Sequence, residues 1–113
     1  MYYDPFRDEA GQVQEKRRHF RKAAGYAVEF GVSEGARQKG VCRDFSLGGM
    51  HIQTSQPAPF GANVTVYVQL KGTQGVSALP GIVRWVKDDE MGIQFGLLGA
   101  RETYAITAML SEP

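Results

Sequence analysis

Apolar residues recur at every second position of this chain, in short runs, and that period limits its possible folds more than any other feature. Tyr26, Val28, Phe30 and Val32 alternate with Ala27, Glu29 and Gly31. Successive side chains of a strand point to opposite faces, so such a run buries one face and wets the other. Residues 40–46 read as a second strand and Met50, Ile52 and Thr54 mark a third. Val64, Val66, Val68 and Leu70 mark a fourth, residues 77–87 a fifth, and Met91, Ile93 and Phe95 a sixth. Turns fall between them, at Glu34-Gly35, Gly48-Gly49, Pro57-Ala58-Pro59, residues 71–75 and Asp88-Asp89-Glu90. Six short strands at about ten-residue spacing predict an all-β fold, a six-stranded antiparallel β-barrel whose closure removes exposed edges. After Gly99 the period changes. Ala105, Ile106, Met109 and Leu110 recur at helical spacing, with Arg101, Glu102 and Thr107 on the polar side. This predicts a short C-terminal α-helix over 100–110, laid on an open end of the sheet.

Two positions strain the pattern. Pro80-Gly81 is expected to interrupt the fifth strand. Simple alternation puts Arg43 on one face with Val41 and Phe45, which calls for a bulge or a place at the barrel rim.

The chain has 113 residues, enough for one domain with a modest core and no disulfide. Its only cysteine, Cys42, has no partner for an internal disulfide and reads as a small apolar residue of a strand. No apolar run approaches the ~18 residues that span a bilayer, and Tyr2-Tyr3-Asp4-Pro5 is unlike a signal peptide. The expectation is a cytoplasmic protein without membrane insertion. Charge divides the chain further. Residues 1–14 form an acidic arm of net −2, and residues 15–22 carry net +4 in Lys16, Arg17, Arg18, Arg21 and Lys22 against Glu15. The remainder, from residue 23, nets −1. We therefore read 1–14 as an arm and 15–113 as the barrel domain, including the basic segment 15–22. A single patch of positive charge favours a compact anion over a nucleic-acid polymer, which needs a continued basic track.

Motifs for catalysis are missing. Neither His19 nor His51 has a cysteine or carboxylate at metal-ligand spacing, and His51, on the polar phase of its strand, is expected to face solvent. There is no Gly-x-Ser-x-Gly elbow, no phosphate loop and no Gly-x-Gly-x-x-Gly. Asp88, Asp89 and Glu90 read as a solvated hairpin tip rather than a metal cluster. With no nucleophile–base pair, the chain is expected not to be an enzyme and to need no metal or cofactor.

What remains is Arg17-x-x-x-Arg21 followed by Asp44-x-Ser46-x-x-Gly49. Asp44 and Ser46, two residues apart, share one strand face. Gly48 and Gly49 then let the chain turn and lie close to a ligand. A carboxylate can accept from the N–H edge of guanine, and arginine can donate to guanine O6/N7 and to phosphate. The same residues have plainer uses: a solvated basic arm, and local caps on the Gly48-Gly49 turn.

In their order and separation the two motifs resemble those of the PilZ domain family, and the likeness runs from about residue 15 to 110. Gly81-Ile82-Val83-Arg84-Trp85-Val86 and Gly92-Ile93-Gln94-Phe95 resemble that family's fifth and sixth strands. The resemblance implies a six-stranded barrel that binds the bacterial second messenger cyclic di-GMP, in signalling of the kind that governs motility or biofilm formation. It implies that Arg17 and Arg21 grip phosphates and guanine edges from a flexible segment. It implies that Asp44 holds guanine, that Ser46 reaches a phosphate or ribose, and that Gly49 leaves room for the nucleotide. Arg18, Gly48 and Trp85 are further contact candidates, Trp85 as a stacking surface. The expected role is a receptor and adaptor that orders its N-terminal segment and acts on a separate protein partner, as a monomer or weak homodimer. The alternative is a ligand-independent interaction module of the same fold.

Overall fold

Period-two alternation sorts the side chains into an inner and an outer face of a closed sheet. The computed structural model describes residues 21–32 and 35–112. Its strands are β1 (Lys22–Val32), β2 (Gln38–Phe45), β3 (Gly49–Gln53), β4 (Asn63–Val68), β5 (Ser77–Lys87) and β6 (Glu90–Phe95), followed by helix α1 (Ala100–Leu110). All pairings are antiparallel, and the strands close in the order β1-β2-β3-β6-β5-β4. The expected barrel and terminal helix are both present. Val28, Phe30, Cys42, Ile52, Val66, Leu79, Val83 and Met91 fill the interior, each almost wholly buried. Each such aliphatic or aromatic side chain contributes roughly 1.5–3 kcal/mol by leaving water.

An eleven-residue helix is marginal alone, so α1 owes its order to docking. Ala105, Ile106 and Met109 are buried, and Ile106 and Met109 close one barrel end against Phe45, Met50, Val68 and Phe95. Glu102 in the first turn suits the helix dipole. At the other end the Lys22 ammonium donates to the carbonyls of Met109 (2.9 Å) and Glu112 (2.8 Å). The Met109 carbonyl also accepts from Glu112 N at 3.2 Å, so the ammonium adds a charged donor to the helix end.

Two sequence expectations are revised. β1 begins at Lys22, ahead of the readable alternation at Tyr26, so it reaches into the basic segment. Pro80 does not interrupt β5: it sits opposite Thr65 in a continuous strand, and its carbonyl accepts from Gly96 N at 2.8 Å. The irregularities lie elsewhere. The β2–β3 register shifts between Cys42 and Asp44, the β5–β6 register between Val83 and Trp85, and the β1–β2 register between Ala23 and Tyr26. The first shift resolves the Arg43 conflict. With Arg43 bulged outward, Cys42 and Phe45 both face the core although they are three positions apart.

Candidate ligand-binding site

The three bulges lie around one patch of outer wall, and each sets the direction of a polar or aromatic side chain. After Arg43 the chain presents Asp44 outward, directly opposite His51 on β3. His51 in turn is opposite Gly92 on β6, and Gly92 is opposite Trp85 on β5. Ala23 of β1 lies on the other side of Asp44. Asp44, His51, Gly92 and Trp85 therefore form a single row across four strands. Gly92 is needed there, because a Cβ would overlap the Trp85 indole that lies over it. The bulge at Arg84 keeps Trp85 off the core phase of Ser77, Leu79, Gly81 and Val83, and leaves it 42% exposed.

Arg21, immediately ahead of β1, reaches this row. Its Nε and a terminal nitrogen both donate to Asp44 Oδ1, at 2.7 and 2.6 Å. Its other terminal nitrogen lies 3.4 Å from Ser46 Oγ. The bridge is half exposed, 48% on the arginine and 31% on the aspartate, so it contributes no more than about 1 kcal/mol. Ser46 itself is buried, and its hydroxyl accepts from Gly48 N at 3.0 Å while Ser46 N donates to Gly49 O at 2.9 Å. The tight turn thus uses the Gly48 N–H internally. Crowding at Gly49 comes from the neighbouring strand, since a Cβ there would meet the Ile93 carbonyl.

Of the residues singled out from the sequence, Arg21, Asp44, Ser46, Gly48, Gly49 and Trp85 come together on this wall. Arg17 and Arg18 lie outside the described residues. His51 is corrected: it does not simply face solvent. Its ring is 24% exposed, with Nδ1 3.2 Å from Asp44 Oδ2 and Nε2 3.1 Å from Glu90 Oε1. Its centroid is 5.2 Å from that of Trp85. The outer face of a barrel wall is crowded by its own side chains, and outward phase alone does not mean free in water. Hairpin arithmetic about the Ser46–Gly49 turn pairs Asp44 with His51, and that signal was open in the sequence.

Glu90 belongs to the base of the acidic hairpin rather than its tip. Asp88 and Asp89 make the turn, Asp88 with a positive φ of 53°, and Glu90 pairs with Lys87. Among the described residues no group of three or more His, Cys, Asp or Glu side chains is arranged to hold a metal ion. No described helix is long and apolar enough to cross a membrane. A recess lined by Phe30, Gly31, Gln38, Pro57 and Ala58 lies toward the Phe30–Gln38 end of the β1–β2 pair, away from Asp44, and among the described residues no charged side chain lines it.

The PilZ domain model matches residues 15–110. Solved structures agree in fold. The PilZ domain of CeSA from a cellulose-synthesizing bacterium superposes with a TM-score of 0.65 at 20% identity, over 80% of this chain and 93% of that one. The PilZ domain of YcgR from Escherichia coli, solved with c-di-GMP, gives 0.65 at 20% identity, over 84% and 88%. The Bacillus subtilis inhibitor of motility MotI gives 0.68 at 17% identity, over 86% of this chain and 53% of that one. No curated protein sequence matches the chain. With the family match spanning both motifs and all six strands of the barrel, the chain belongs to the PilZ domain family.

Proposed function

We propose that this PilZ domain is a receptor for cyclic di-GMP that acts without catalysis, in the cytoplasm, on a protein partner. The observation that carries the reading is the convergence of Arg21 on Asp44 and Ser46, which joins the basic segment to the acid–hydroxyl notch at distances of 2.6 to 3.4 Å. Likeness to the YcgR domain solved with c-di-GMP supports the choice of ligand.

Lone-pair counting explains how binding would proceed. A carboxylate offers about four acceptor positions. Asp44 Oδ1 takes two donors from Arg21, and Oδ2 faces one nitrogen of His51. Guanine presents two N–H donors on one edge, so Arg21 must withdraw before both can be received. The cost is small, because an exposed bridge contributes at most about 1 kcal/mol. The freed guanidinium then pairs with a phosphate of the ligand as a charge-assisted fork. Trp85 offers an indole face beside the acid for stacking. Arg17 and Arg18, in the same basic segment, add positive charge for the second phosphate. The N-terminal segment closing over the ligand would change the surface offered to the partner.

Calorimetric titration of the full chain with cyclic di-GMP tests this. Saturable binding at low micromolar concentration, lost in Arg21→Ala and in Asp44→Ala, is the expected result. Binding that is absent in the wild type, or unaltered in both variants, would refute it.

A further inference from the structure

His51 stands at the centre of the outward row, between the acid and the indole. Asp44 is its neighbour on β2, and Trp85 reaches it across the side-chain-free Gly92. Both ring nitrogens face carboxylate oxygens, Nδ1 that of Asp44 and Nε2 that of Glu90. A neutral imidazole carries one N–H donor and an imidazolium two. Only the imidazolium donates to both carboxylates, and in that form the ring plane is set from both ends. Arg21 holds the opposite oxygen of Asp44, and in the reading above it leaves when the ligand arrives. Among the described side chains, His51 is then the one still holding that carboxylate.

Resting on the cyclic di-GMP reading, we propose that His51 is a positioning residue of the ligand site, anchored by Glu90, which fixes the Asp44 carboxylate to receive the guanine edge. With Nδ1 on Oδ2, the carboxylate is restrained from rotating about its own bond when Arg21 departs. One lone pair of Oδ2 and both of Oδ1 stay open for two N–H donors. The same ring borders the Trp85 indole, so the distance between the acceptor and the stacking face is set by one side chain. An acid without this support would have to be ordered by the ligand, at the expense of affinity.

Amide substitutions separate the two ends of the ring. An Asn side chain places its N–H₂ near the position of Nδ1, toward Asp44. A Gln side chain places it near Nε2, toward Glu90. The full chain and its His51→Ala, His51→Gln and His51→Asn variants are titrated with cyclic di-GMP by calorimetry. Circular dichroism melts establish that each is folded. Loss of one charge-assisted hydrogen bond corresponds to about a tenfold change in affinity. The Ala and Gln variants should therefore bind about tenfold more weakly, and the Asn variant within about threefold of wild type. Glu90→Gln should weaken binding in the His51 background and have no effect in the Ala background, as a coupled pair does. Wild-type affinity in the Ala and Gln variants, or tighter binding by Gln than by Asn, would overturn the proposal and leave the cyclic di-GMP reading standing. A wild-type chain that does not bind the dinucleotide would defeat both.

Discussion

The flank of the barrel centred on β4 is regular, whereas the wall carrying Asp44 and Trp85 is bulged on three strands. β4 pairs with β1 and with β5 without a register shift, and its alternation is clean: Val64, Val66 and Val68 inward, Thr65 and Tyr67 outward. On the other wall the shifts at β1, β2 and β5 break the alternation. Regular pairing maximises methyl burial and leaves nothing aimed. A bulge gives up a ladder position and turns one side chain out of phase, which is how Asp44 and Trp85 come to share a row with His51. On the proposed reading of the site, stability and recognition are separated around the circumference of one small sheet.

The sharpest way to break that division is a paired substitution. Asp44→Ala should lower affinity for cyclic di-GMP by about 100-fold or more, equal to about 2.7 kcal/mol, with little change in melting temperature. Leu79→Ala, at a wholly buried position facing the regular flank, should do the reverse. It should cost about 2–5 kcal/mol in urea unfolding, while the folded fraction binds as wild type. If the two variants damaged both properties alike, the division would be false.

Gly49→Ala probes the boundary, because its Cβ would strike the Ile93 carbonyl where β3 meets β6. A stability loss of about 1–3 kcal/mol, measured by urea unfolding, is expected together with weaker binding, since the Ser46 turn must shift. Lys22→Met removes the ammonium that closes the end of α1. About 1 kcal/mol of stability and faster amide exchange in the last helical turn are the expected losses. Affinity for cyclic di-GMP should stay near wild type in that variant, because Arg21 is retained.

An effect that is silent at neutral pH concerns Cys42, buried beneath the β2 bulge. Burial first, and then the Asp44 charge, push its thiol up to about 12 from an ordinary 9.0. Because the native value is the higher one, the thiol's contribution to stability is complete below pH 9 and fades as pH rises toward 12. Unfolding curves across that window should lose stability faster in the wild type than in Cys42→Ala.

Much of this division was legible beforehand, and the failures are instructive. Alternation identified all six strands, and the change of period after Gly99 identified α1, because burial on one face imposes a period that composition must follow. Arg43 announced its bulge by breaking phase. Pro80 misled, since a proline within a strand is tolerated where its missing N–H leaves no ladder partner unmet, and chain order does not reveal that. His51 misled for another reason. Phase reports inside against outside, and it carries no information on what else stands outside.

By itself the sequence determined which residues turn inward, where the chain reverses, and that one acid, one hydroxyl and a basic segment were available to a purine dinucleotide. These are local properties, written in spacings of two to four residues. Tertiary structure decided that Arg21 meets Asp44 across 23 positions, and that Glu90 reaches His51 across 39. It also decided that Trp85 lies over Gly92 beside them. Those contacts depend on strand order and on the register left by each bulge, and both are set only when the barrel closes.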